Sequence, residues 1–239
     1  MLSFIGAECG VCVGPRMYSG LFGALGRVLG LLVLAAPLAV VGEVDHSTMD
    51  HSAHKPAAGA LAGIVGMAVA DFELADHKGN LHRLPGTAGT VTVLMTQGNG
   101  CPIVRNAMPA LTEVRDDYQS RGVQFLLLNP NLQDDAESVA SEVDDFGWDM
   151  PVLIDATQHV GEMLQVTRTA EIFVIAGGSG KVMYHGPVDD RLTYQRQRAE
   201  AQHTYLRDAL DAVLADKAVP VAQVDAPGCI INFPNRGPG

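Results

Sequence analysis

The chain has 239 residues, 47% of them hydrophobic, and a formal net charge of −11. That apolar content supports a packed core and excludes wholesale disorder, and the length suits one or two domains. The acid excess excludes a general nucleic-acid binder, which needs a basic face, and four cysteines are too few for a disulfide-built mini-scaffold.

Residues 1–42 are expected to form an export signal. Arg27 precedes a run of 14 uncharged residues, Val28 to Val41, with small residues at its end. As a helix this run spans about 21 Å, short of the roughly 30 Å hydrocarbon core. Cleavage after Gly42 would release the chain into the periplasm or another extracytoplasmic compartment. An uncleaved anchor that keeps it on the membrane is the alternative. Met17 is a second candidate start. Cys9 and Cys12 form a C-x-x-C, a spacing that alone suggests redox or metal chemistry, but it lies upstream of a segment expected to be removed and carries little functional weight. Export leaves Cys101 and Cys229, which an oxidising compartment could pair.

Residues 43–66 lack a strand or helix period and read as a tether. His46, Met49, His51 and His54 cluster there, and imidazole with thioether suits copper. A solvated linker is the alternative, because ordering flexible ligands costs entropy.

Regular patterning begins at residue 67, opening a domain over 67–216. Ala68–Leu74 is expected to be a strand, with a turn at His77–Asn80. The β-branched run Thr90–Thr96 predicts a buried strand. Gln97-Gly98-Asn99-Gly100 breaks it. The stripe Ile103, Val104, Ala107, Met108, Leu111, Val114 and Tyr118 then predicts a helix, with Pro102 in its first turn and Gly122 at its end. Val123–Leu128 is a further buried strand. Asp134 and Glu137 read as the start signal of a second helix, and Asp135, Glu142, Asp144 and Asp145 as its solvated face. A short strand over Pro151–Ile154 and a short helix over Thr157–Leu164 follow. A hairpin joins Glu171–Ala176 to Lys181–His185, and Ala199–Leu214 is a last helix. The tail, 217–239, carries Cys229. This order predicts an α/β fold with a parallel core extended by antiparallel strands.

Cys101 stands where a buried strand ends and a helix begins. The free N–H groups and dipole of a helix start favour a thiolate there. Arg105, one turn on, either adds positive charge or points into solvent. An inert buried cysteine is the alternative reading.

Pro109 lies inside the helix pattern, eight residues after Cys101, and is expected to kink it. Cys101-Pro102 with Pro109, the runs GCPIVRNAMPAL, TRTAEIFVI, YHGPVDDR and LRDALDAVLADKAV, and the closing GCIINF resemble the thioredoxin-like, peroxiredoxin-related family (the alkyl hydroperoxide reductase/thiol-specific antioxidant group) over residues 67–233. The resemblance implies a thioredoxin-like fold, a central mixed sheet flanked by helices, and thiol chemistry at Cys101. The sequence departs from the family at three places. Val104 stands where a local second cysteine would be, Leu94 and Gly98 replace the proline and hydroxyl residue of the peroxidase motif, and Ala170 replaces the cis-proline. A cis bond before a non-proline residue costs about 2.5–4 kcal/mol, so a trans peptide is expected at Thr169–Ala170.

The resemblance further implies that Cys101 attacks a disulfide or peroxide and that Cys229 resolves the product, with an external thiol as reductant and no required cofactor. Arg168 is a third candidate site residue by its nearness to Ala170, an ordinary surface arginine being the alternative. Two other readings stay open: a copper carrier using the tether, and a redox-inert domain locked by a Cys101–Cys229 bond.

Overall fold

The computed structural model of the chain describes residues 63–234 and Arg236. The export segment and the tether, with His46, Met49, His51 and His54, lie outside them. The elements run β1 Phe72–Ala75, β2 Leu81–Leu84, β3 Val91–Thr96, α1 Pro102–Tyr118, β4 Val123–Asn129, α2 Ala136–Phe146, β5 Val152–Ile154, α3 His159–Met163, β6 Ile172–Ala176, β7 Val182–Gly186 and α4 Tyr205–Leu214.

Five strands form one mixed sheet in the order β5-β4-β3-β6-β7. The β3–β4 and β4–β5 pairs are parallel, whereas β6 runs antiparallel to both β3 and β7. This is the thioredoxin-like α/β architecture. Alternation along β3 sends Val93 and Met95 to the face covered by α1, α2 and α4, and Leu94 to the face holding Val160 of α3. Neither face meets water, which is why β3 reads as one continuous apolar run.

Both sheet edges are covered, which removes open pairing templates. On the β5 side, the β1–β2 hairpin contributes an Asp76–Leu153 bridge. On the β7 side, the His185 N–H donates to Ala222 O at 2.9 Å, and the Val224 N–H donates to His185 O at 3.0 Å. The tail beyond α4 is therefore part of the sheet and returns the chain toward the start of α1.

Several boundaries differ from the sequence reading. The first strand starts at Phe72, and Ala68 makes only an isolated bridge to Lys181. β2 carries no clear sequence signal, being four residues long and largely exposed. Helix α2 is capped by Asp135, whose carboxylate accepts from the Ser138 N–H at 2.8 Å, and not by Asp134. The last helix begins at Tyr205, because Asp190 holds the preceding segment as a loop by accepting from the N–H groups of Gln202 and His203. Pro109 sits inside α1 without ending it. It removes one helical hydrogen bond, while buried Met108, Ala110 and Leu111 keep the helix on the sheet.

Candidate redox site

Cys101 is the residue immediately before α1, at the end of the loop leaving β3. A polar network fixes that loop. Oδ2 of Asp134 accepts from the Asn99 N–H at 2.9 Å, Asn129 Nδ2 at 3.0 Å and Asn131 Nδ2 at 3.1 Å. Asn129 Nδ2 also donates to Gln97 Oε1 at 2.8 Å. Asp134, read from sequence as a helix start, instead ties the cysteine loop to the end of β4. The Gly100 N–H donates to Glu142 Oε1 at 3.2 Å, and Glu142 also accepts from Arg105 Nε at 3.2 Å and Nη2 at 3.0 Å. Glu142 is thus buried against Arg105 and is not part of a solvated face. Arg105 lies one helical turn from Cys101, its charge matched by that carboxylate.

The tail brings Cys229 to the same point. The two sulfurs are 3.0 Å apart and both cysteines are free thiols. A covalent S–S distance is about 2.05 Å, so bonding needs a shift of about 1 Å. The tail is anchored beyond Cys229 by Ile231 and Phe233, which are buried in the core on the α3 side. Gln158 Nε2 donates to Asn232 O at 2.7 Å and to Pro130 O at 2.8 Å.

Thr169 joins the two cysteines. Its N–H donates to Cys229 O at 2.9 Å, and its hydroxyl oxygen accepts from the Cys229 N–H at 2.9 Å. The same hydroxyl lies 3.0 Å from Cys101 Sγ, within reach to donate its hydrogen to an ionised sulfur there. Two glycines permit this packing. A Cβ on Gly98 would lie 3.0 Å from Thr169 Cγ2 and 2.3 Å from Asn131 Nδ2, and one on Gly228 would lie 1.9 Å from Thr169 O. The hydroxyl expected near the thiol and missing at position 98 is therefore supplied from the opposite wall.

The electrostatics of the two sulfurs differ in sign. Burial works against ionisation of Cys101, but hydrogen bonds from Thr169, the Cys229 thiol and the Val104 and Cys229 N–H groups outweigh it and lower its pKa. Burial, the hydrogen bond to Cys101 and the charge on Cys101 raise the pKa of Cys229. The pair therefore favours ionisation of Cys101 over Cys229, the two sulfurs lying within hydrogen-bond reach of one another. Accessibility runs the other way. Cys101 is only 4% exposed, because the tail covers it, whereas Cys229 faces solvent. Cys101 is thus a buried member of the apolar core, as the alternative reading has it, although Thr169 and Cys229 lie within hydrogen-bond reach of its sulfur.

Arg168 does not reach the sulfurs through its side chain. Nη1 donates to the Tyr194 hydroxyl at 2.7 Å. That hydroxyl in turn donates to Gly228 O at 2.9 Å and accepts from the Gly228 N–H at 3.0 Å. Arg168 and Tyr194 thus hold the residue preceding Cys229. Ala170 follows Thr169 with φ +61, and its N–H donates to Thr96 O at 2.7 Å. Its peptide is trans, the one cis peptide among the described residues being Leu84–Pro85. Proline, with φ near −65° and no N–H, fits neither feature.

Sequence reasoning missed Thr169, Tyr194, Asp134 and the pairing role of Glu142. Thr169 was the most accessible of them, since it sits beside the replaced proline position. Among the described residues, no three His, Cys, Asp or Glu side chains gather as a metal site.

Comparison with known proteins agrees with this geometry. The family model described as AhpC/TSA matches residues 65–185. The chain is 32% identical over 114 residues to a thiol-disulfide oxidoreductase ResA from Geobacillus kaustophilus, covering 46% of this chain and 63% of that protein. It is 31% identical over 121 residues to a ResA from Geobacillus thermodenitrificans, covering 49% of this chain and 66% of that protein. The chain thus spans under two thirds of either relative. Among solved structures, a hypothetical protein from Sinorhizobium meliloti 1021 superposes with TM-score 0.63 at 30% identity, over 72% of this chain and 96% of the other. An uncharacterized conserved protein from Geobacillus kaustophilus gives TM-score 0.63 at 27% identity, over 72% and 94%. The sheet, the cysteine at the head of α1 and the matched stretch together place this chain in the AhpC/TSA family.

Proposed function

We propose that the chain is a thiol–disulfide oxidoreductase whose redox couple is Cys101 and Cys229. The observation that carries this reading is the 3.0 Å approach of the two sulfurs, one favoured as thiolate and the other as thiol. The likeness to relatives described as thiol-disulfide oxidoreductases supports the same chemistry. No local C-x-x-C follows Cys101, and the distant tail cysteine stands in for it.

In the reduced state the Cys101 thiolate is stabilised by Thr169 and the helix start. In the oxidised state an S–S bond joins Cys101 to Cys229. An external disulfide accepts the electron pair when that bond forms, and an external thiol restores both thiols when it breaks. Disulfide exchange is favoured over peroxide reduction by the likeness to relatives described as thiol-disulfide oxidoreductases and by Leu94 and Gly98 standing in place of the peroxidase motif's proline and hydroxyl residue. Export to an extracytoplasmic compartment, argued from Arg27 and the apolar run 28–41, would give this couple its partners. Copper binding at His46, Met49, His51 and His54 would be a separate property of the tether.

The test is turnover. Catalytic amounts of the chain are added to a dithiol and a disulfide-linked peptide. Exchange is expected to accelerate, and Cys101→Ser and Cys229→Ser each to lose about 100-fold. A serine variant that keeps wild-type turnover would remove that cysteine from the reaction.

A further inference from the structure

The two cysteines differ in exposure, Cys101 being buried and Cys229 exposed, and the backbone beside Cys229 is open. Residues Cys229–Ile231 lie antiparallel to Thr167–Thr169. The hydrogen bonds run from the Thr169 N–H to Cys229 O at 2.9 Å and from the Ile231 N–H to Thr167 O at 3.0 Å, flanking the Arg168–Ile230 pair. In this pattern the N–H and C=O of Ile230 point away from Arg168. Among the described residues no hydrogen bond reaches them. The Ile230 side chain is 80% exposed, and Tyr194, whose hydroxyl grips Gly228, is 59% exposed. An open strand edge carrying the exposed Ile230 side chain therefore borders Cys229, while Cys101 is buried beside the same tail.

We propose that partner sulfurs exchange with this chain at Cys229, and that the partner is a polypeptide cysteine in an extended segment paired along the Ile230 edge. This rests on the redox couple proposed above and assigns its outer sulfur. In reduction, a partner thiolate attacks Cys229 Sγ in the Cys101–Cys229 disulfide. The partner–Cys229 bond forms, the internal S–S bond breaks, and its electron pair leaves on Cys101 as thiolate. A second partner thiol then attacks the partner sulfur of the mixed disulfide and releases Cys229, which takes up a proton. The net change is one partner disulfide formed and both chain cysteines reduced. Oxidation runs the same steps backward. The Cys101 thiolate takes the Cys229 proton as Cys229 attacks a partner disulfide and expels one partner thiolate. Cys101 passes that proton to the expelled thiolate, and the restored Cys101 thiolate attacks Cys229 Sγ, closing the internal bond and releasing the second partner sulfur as thiolate. The roles are the reverse of those expected from sequence, since Cys229 meets the partner and Cys101 resolves. Main-chain pairing along an open edge supplies affinity, and Ile230 supplies selectivity for polypeptide over small thiols.

The experiment uses the oxidised full chain with two probes: a short peptide holding one central cysteine flanked by valines, and glutathione. Reactions are stopped with acid within the first turnover, free thiols are alkylated, and the adduct is mapped by mass spectrometry. The expected product carries the peptide on Cys229 and the alkyl group on Cys101. The reverse assignment would overturn the proposal while leaving the redox couple intact. No adduct at either sulfur would overturn the couple itself. Ile230→Asp, at a solvated position, is expected to slow the peptide about tenfold and leave glutathione unchanged. Equal rates for the peptide in both chains would eliminate the docking edge.

Discussion

Thr169 is the residue on which the two sulfurs depend. Its hydroxyl lies 3.0 Å from Cys101 Sγ and takes the Cys229 N–H at 2.9 Å. A hydrogen bond to a charged group contributes about 1.5–3 kcal/mol, and 1.36 kcal/mol corresponds to tenfold in protonation equilibrium. Thr169→Val should therefore weaken the ionisation of Cys101 about tenfold in its equilibrium constant, read as ultraviolet thiolate absorbance against pH, and Thr169→Ser should restore it. Since the folded-state pKa of Cys101 is lowered, its contribution to the reduced protein's stability is full above the unfolded pKa and fades as pH falls through the folded one. Ala170 bears on the same segment. With φ +61 and its N–H committed to Thr96 O, Ala170→Pro should cost about 3 kcal/mol or more in denaturant unfolding. An Ala170→Pro chain as stable as wild type would mean that this backbone is not fixed as described.

At the scale of elements, the site is the meeting of the β3–α1 loop with the returning tail. Asp134 holds the loop with three hydrogen bonds on one carboxylate oxygen. Asp134→Ala should cost about 2–3 kcal/mol in chemical unfolding, whereas a mere helix-cap role would predict about 1 kcal/mol. Phe233 holds the tail by packing on Gly161, where an added Cβ would meet its ring at 2.9 Å. Phe233→Ala should release Cys229 from Cys101 and raise Cys101 alkylation about tenfold, a truncation of this size costing about 3 kcal/mol. These contacts also mark what the sequence could show. Continuous apolar runs identify β3, β4 and β6 because both their faces are buried, and the thiol at the head of α1 follows from strand-end placement and Pro102. Nothing local in 217–233 shows that it pairs with His185 and Thr169, because those partners are remote along the chain. The hairpin strand β2 fails for a related reason, as its few half-exposed residues are fixed by pairing with β1. The burial of Glu142 shows only once α2 is docked beside Arg105.

Across the whole molecule, the redox state and pH set stability. A bond between residues 128 apart in sequence closes a loop whose unfolded-state restriction is worth about 4–5 kcal/mol. The oxidised chain should unfold at higher temperature than the reduced one, and coincident calorimetric transitions would contradict that. Asp76 adds an acid limb. Its burial favours the protonated form, but hydrogen bonds from His82 and the N–H groups of Asn80 and Lys78 prevail and lower its pKa to about 2. That stability is full above the unfolded carboxylate value and is lost as pH falls toward 2. Asp76→Asn should therefore cost about 2 kcal/mol at neutral pH and converge with wild type in strong acid. The central claim concerns the couple itself, and an equilibrium titration of the full chain in dithiol buffers of graded potential tests it most directly, with acid-stopped thiol labelling as the readout. A single two-electron transition is predicted, with Cys101 and Cys229 gaining and losing label together. A label that stays on either cysteine at every potential, or a bond that survives excess reductant, would contradict it.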